Sequence, residues 1–136
     1  MKSSFYHMQV NVDFDKNHGF YKELMEFLGW EIIFETKGMV GFKSGQNGDI
    51  WFIDSKKKEI MDYDMIGVNH VAIKVDTQEN LDKCIKFLES KGIKGIFDTP
   101  KHRPEFVHSP DETYYQIIFE TPDKAQFELV YAGKKL

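Results

Sequence analysis

One cysteine, Cys84, and one arginine, Arg103, are all that 136 residues hold of these two types. A lone cysteine excludes an internal disulfide, so a reducing cytoplasm is the compartment to expect. A lone arginine against seventeen lysines, with a net charge of −4, leaves no arginine-rich face for phosphate or base recognition. Nucleic acid is therefore not an expected partner. The triple lysine at 56–58 lies in a polar stretch and reads as solvated surface. No apolar run approaches the ~20 residues of a membrane span. The opening MKSSFYHMQV lacks the apolar core and cleavage site of a secretion signal. Membrane association is not expected either.

What is present is an ordinary globular composition, 41% hydrophobic and 15% aromatic. The length suits one domain, residues 1–136. Within it an internal repeat is visible. FYHMQVNV (5–12) and VNHVAIKV (68–75) place a histidine third in an alternating run, and His7 and His70 are 63 residues apart. The offset persists beyond them. Val10 matches Ile73, Val12 matches Val75, Asp13 matches Asp76, Leu24 matches Phe87, and Gly29 matches Gly92. A spacing kept from a strand through a helix to its closing glycine marks a duplicated unit.

Each copy has the same order of elements. Alternation over 5–12 predicts a strand. A helix follows at about 15–28, with Asp15 as N-cap, Gly29 as the stop, and Phe20, Tyr21, Leu24, Met25 and Leu28 as its apolar stripe. Strands are expected at 30–36, 39–44 and 49–54, with turns at TKG and GQNG. The second copy gives a strand at 68–75 and a helix at 78–91 capped by Thr77. Its stripe is Leu81, Cys84, Ile85 and Leu88. Strands at 93–99, 114–121 and 126–132 complete it. Cys84 is thus a packing residue. The modules are 1–54 and 68–136, joined by 55–67, and 100–112 is an extra loop without a counterpart. The fold class is α+β: two tandem β-α-β-β-β modules forming a curved mixed sheet around a central pocket.

The duplicated modules, the two strand histidines and the closing FETPDKAQFELV (119–130) together resemble the vicinal oxygen chelate superfamily. That group includes glyoxalase I, fosfomycin- and bleomycin-resistance proteins and extradiol dioxygenases. The resemblance covers nearly the whole chain, most specifically at NHVAIKV and at the closing motif. It implies a metal centre built from first and last strands, here His7, His70 and Glu128. Two imidazoles and one carboxylate suit a divalent Zn, Mn, Fe, Ni or Co ion with positions left open. Alternation agrees, because each of the three lies on the strand face opposite its apolar, helix-packing neighbours.

The fourth position departs from glyoxalase I. If GDIWFI aligns with AQFELV, Trp51 stands where that enzyme has a second carboxylate, and tryptophan cannot bind a metal; Asp49 would substitute only if the register slipped by two. The potassium loop and arginine-rich pocket of the fosfomycin-resistance enzymes are also missing. The implied function is a metal-dependent enzyme acting on a small oxygen-chelating substrate, with lyase, isomerase and dioxygenase chemistry all open. The alternative is a metal-free binding protein of the bleomycin-resistance kind. Gln9, Trp51, Tyr114, Gln116 and Arg103 are candidate substrate-binding residues; Glu128 and His108 are candidate acid–base groups. A homodimer is expected, because open sheet edges need cover.

Overall fold

The computed structural model describes every residue except Asn47, so the turn expected at 45–48 lies partly outside the described residues. The chain divides into two compact units, Met1–Glu59 and Ile60–Leu136. The division falls inside the segment 55–67 that joins the repeats in sequence.

The first unit runs β1 (His7–Val12), α1 (Phe14–Phe27), β2 (Glu31–Thr36), β3 (Met39–Lys43) and β4 (Asp49–Asp54). Its four-stranded sheet has the order β1-β4-β3-β2, with β1 parallel to β4 and the other pairs antiparallel. Alternation in β1 appears as exposed His7, Gln9 and Asn11 against half-buried Met8 and Val10 and buried Val12. From α1, Tyr21, Leu24 and Met25 are fully buried, and Tyr21 stacks on Phe52 of β4 at 4.4 Å. Each such side chain contributes ~1.5–3 kcal/mol when buried. Gly29 ends the helix at φ +79°, a conformation that costs other residues more.

The start of α1 differs from expectation. Asp13, not Asp15, is the N-cap, and its carbonyl accepts from Lys16 and Asn17. Asp15 instead sits in the first turn, where its charge suits the helix dipole. The Asp13 side chain makes no cap bond. The Phe14 amide donates to Asp54 Oδ1 at 3.0 Å, so the end of β4 caps the helix from outside it.

The second unit repeats the plan: β5 (Val71–Lys74), α2 (Gln78–Ser90), β6 (Ile96–His102), a short 3-10 turn (Pro104–Phe106), β7 (Glu112–Glu120) and β8 (Gln126–Lys134). The sheet order is β5-β8-β7-β6, again with one parallel pair, β5–β8. Thr77 caps α2 as expected, its hydroxyl accepting from the Asn80 amide at 3.1 Å. Leu81, Cys84, Ile85 and Leu88 are buried beneath it. Burial pushes the Cys84 thiol up to about 11, so it stays protonated and inert.

Several strand boundaries move. The strand expected from 68 begins at Val71, so His70 immediately precedes β5. The strand expected at 93–99 is Ile96–His102, and the extra loop shrinks to 103–111. The cause is a bulge. Phe97 (φ +54°) and Asp98 (φ +58°) adopt left-handed backbone, and ladder pairing jumps from Ile96 to Lys101. Pairing therefore resumes beyond Pro100, which supplies no amide hydrogen and sits in the unpaired stretch. The two sheets are four-stranded, mixed and not closed.

Candidate functional site

The ladders define one polar face in the second unit. Ala72 pairs with Glu128, and Glu128 with Ile118; Val130 pairs with Gln116, and Ala132 with Tyr114. Residues paired in this way share a face, as do residues two apart on one strand. Tyr114, Gln116, Gln126 and Glu128 therefore stand on one side. Phe119, Phe127 and Leu129 fill the other, where they are fully buried in the apolar core.

Glu128 is the centre of this face and is only 4% exposed. A buried carboxylate needs partners for each oxygen. Oε1 accepts from the Tyr114 hydroxyl at 2.6 Å. It also accepts from the Gln116 amide nitrogen at 2.9 Å, in the amide orientation that lets the Gln116 oxygen accept from Arg103 Nε at 3.0 Å. Burial, and then the bond to Glu128, push the Tyr114 phenol up to about 12, so it remains a donor at neutral pH. The ring of Phe106 meets Tyr114 edge-on at 5.3 Å. Arg103 extends the chain outward, with Nη1 3.5 Å from Glu105.

Oε2 faces His70, whose Nε2 lies 3.2 Å away. The other ring nitrogen, Nδ1, is 2.9 Å from Asn69 Oδ1. Asn69 also accepts from Gln126 Nε2 at 2.8 Å and donates through Nδ2 to the Tyr63 carbonyl at 3.0 Å. The Tyr63 hydroxyl in turn donates to Glu120 at 2.9 Å.

In the first unit, His7, Gln9 and Trp51 share the corresponding face. His7 pairs with Asp49, Gln9 with Trp51, and Trp51 with Gly41. Gln9 and Ala72 hold equivalent repeat positions, so their partners Trp51 and Glu128 do too. That ladder runs unbroken from Asp49 to Asp54, so Asp49 does not slip into the place of Trp51. The indole lies against Gly41, where a β-carbon would come within 2.7 Å of the ring. Phe34 flanks it at 5.9 Å. Gln9 donates to Asn11 at 2.8 Å.

Five of the candidates named from sequence are thus brought together: His70, Glu128, Tyr114, Gln116 and Arg103. His7, Gln9 and Trp51 belong to the first unit. His108 is exposed beyond the 3-10 turn and joins none of the hydrogen bonds around Glu128. His102 closes β6 on the other face, with Nδ1 2.6 Å from Thr113 Oγ1 and its ring stacked on Tyr115 at 4.4 Å. Asn69 and Tyr63 were not singled out by sequence. The signal for Asn69 was its place beside His70; for Tyr63 there was none, because its main-chain oxygen does the work. Within neither unit, among the described residues, do three His, Cys, Asp or Glu side chains gather as a metal ion would require.

No protein-family model matches this sequence, and no curated protein aligns with it significantly. Solved structures do match. A provisionally assigned glyoxalase from Bacillus halodurans superposes with a TM-score of 0.76 at 21% identity, over 93% of this chain and 94% of that one. A glyoxalase/bleomycin resistance protein from Albidiferax ferrireducens gives 0.69 at 16% identity, over 93% and 98%. Lactoylglutathione lyase from Agrobacterium tumefaciens gives 0.65 at 16% identity, over 96% and 95%. At these identities the likeness is one of fold. The chain has the fold of the glyoxalase/bleomycin resistance/dioxygenase proteins.

Proposed function

We propose that this protein is a metal-dependent enzyme that acts on a small substrate offering two chelating oxygens. One observation carries the reading: a histidine nitrogen and a carboxylate oxygen, His70 Nε2 and Glu128 Oε2, lie 3.2 Å apart. Ligands each ~2.0–2.2 Å from one ion stand about that far from each other. Where Nε2 carries no proton both are electron-pair donors, and a cation between them suits the gap. An imidazole and a carboxylate suit Zn, Mn, Fe, Ni or Co. The family resemblance adds His7, which holds in the first unit the repeat position that His70 holds in the second. When bound, such an ion would supply Lewis-acid stabilisation of charge on the chelated oxygens.

The remaining work falls to the protein. Tyr114 and Gln116 occupy Oε1 of Glu128, which leaves Oε2 as the free donor and fixes its direction. Arg103, linked through Gln116, places the chain's one guanidinium near this face, where it suits an anionic part of the substrate. Trp51 and Phe34 offer an aromatic surface in the first unit, which favours a partly apolar or planar substrate. His108, on an exposed turn, is the acid–base candidate. A homodimer in the cytoplasm belongs to the same reading, supported by the open sheet edges and the single buried cysteine.

A metal-free binding protein is the second reading. A proton on Nε2 would also fill the gap, as an imidazolium–carboxylate pair. Calorimetric titration of tag-free apo-protein with Mn²⁺, Co²⁺, Ni²⁺ and Zn²⁺ separates the two. Binding by the wild type, lost in the His7→Ala, His70→Ala, Glu128→Gln variant, is the expected result. Equal behaviour of the two proteins overturns the metal reading.

A further inference from the structure

We infer that Asn69 is a positioning residue that holds the neutral His70 ring with its proton on Nδ1 and its lone pair on Nε2, aimed at Glu128. Hydrogen-bond polarity fixes this, starting from a group whose polarity cannot change. The Tyr63 main-chain oxygen is an acceptor only. The Asn69 side-chain atom 3.0 Å from it must therefore be the amide nitrogen. The other atom of that amide, Oδ1, is an acceptor, and it lies 2.9 Å from His70 Nδ1. Nδ1 must carry the proton. In a neutral ring Nε2 then carries none, and it faces Glu128 Oε2.

Gln126 shows how firmly this polarity is imposed. Its Nε2 also donates to Asn69 Oδ1, at 2.8 Å. That choice leaves Gln126 Oε1 buried with no partner, an arrangement that costs stability. Turning the Gln126 amide would set two carbonyl oxygens against each other. Turning both amides would set the Asn69 oxygen against the Tyr63 carbonyl. The network keeps the unpaired atom on Gln126 and the acceptor toward His70.

The alternative tautomer is what His70 and Glu128 would adopt alone. An Nε2 proton would make a good hydrogen bond to the carboxylate at 3.2 Å, and the ring would then have no lone pair to give in that direction. Asn69 works against this closure. Histidine ligands are commonly fixed by an acceptor on the far nitrogen, and loss of that acceptor lowers metal affinity by ~10–100-fold. The role as a ligand-orienting residue rests on the metal reading; the tautomer itself does not.

The test is long-range ¹H–¹⁵N correlation of the His70 ring in ¹⁵N-labelled, metal-free protein at alkaline pH. The wild type should show a protonated Nδ1 and a bare Nε2. Asn69→Ala should move the proton to Nε2, and Asn69→Asp, which keeps an acceptor oxygen, should restore the wild-type pattern. In Zn²⁺ titrations Asn69→Ala should lose ~10–100-fold in affinity and Asn69→Asp should not. A wild-type ring with a proton on Nε2, alone or together with Nδ1, overturns the inference whatever the metal result. The expected tautomer in a protein that binds no metal upholds the inference and overturns only the metal reading.

Discussion

Position 51 in the first unit and position 128 in the second occupy one place in one repeated ladder, yet one holds an indole and the other a buried carboxylate. The neighbours differ accordingly. Trp51 pairs with Gly41, whose missing β-carbon gives the ring its seat. Glu128 pairs with Ile118 and takes its polar contacts from Tyr114, Gln116 and His70. The scaffold is shared, and the polar chemistry is concentrated in one copy. The backbone pairing does not decide which side chain a ladder position bears; Gly41 makes room for the indole, and Tyr114, Gln116 and His70 satisfy the carboxylate.

The two positions should differ most in metal binding. Glu128→Gln should lower Zn²⁺ affinity by more than ~100-fold, about 2.7 kcal/mol. Trp51→Gln at the equivalent place should leave it within about threefold. Calorimetry on both variants checks this, and equal losses would show the two positions to be functionally alike.

Next comes the seat of the indole. Gly41→Ala places a β-carbon where Trp51 now lies, and overpacking of this kind costs ~1–3 kcal/mol. Urea unfolding measures the loss. An unchanged midpoint would show that Trp51 moves freely.

Helix capping offers a smaller contrast, internal in α2 and borrowed in α1. Thr77→Ala should cost about 1 kcal/mol. Asp54 behaves differently because it is charged. The Lys58 ammonium, and then the Phe14 amide, hold its carboxyl below the usual range. A carboxyl lower in the folded than in the unfolded state contributes stability above its ordinary value and loses it as pH falls through the depressed one. Asp54→Asn should therefore flatten the acid side of the stability–pH profile, and Thr77→Ala should leave its shape unchanged. The smallest effect belongs to His108→Ala, which should change thermal stability by less than ~0.5 kcal/mol while altering ligand affinity or turnover.

Strand and helix order were legible because period and repeat both spoke for them: Leu81, Cys84, Ile85 and Leu88 lie where their spacing put them. The ladder equivalence of Trp51 and Glu128 was legible too, since a two-residue period fixes face once register is known. The bulge at Phe97 and Asp98 was not, because aspartate enters left-handed backbone readily but phenylalanine seldom does, and the pair carries no glycine or asparagine to mark it. Nor was the outside cap from Asp54, which depends on a contact 40 residues away in sequence. Around Glu128 the residue types were visible and their partners were not. Hydrogen-bond polarity passes through the Tyr63 main chain, and no side-chain pattern records that.

The glycine beneath Trp51 also has an optical consequence. The chain has two tryptophans, Trp30 and Trp51, and both belong to the first unit. Emission excited at the red edge of the indole band therefore originates in that half alone, while the carboxylate-bearing half contributes only tyrosine. A melting curve followed by indole fluorescence reports the surroundings of Trp30 and Trp51, the Gly41 seat included, and is silent on Glu128. Far-ultraviolet circular dichroism, to which both helices contribute, is its necessary complement, and a gap between the two curves would be the melting of one half before the other.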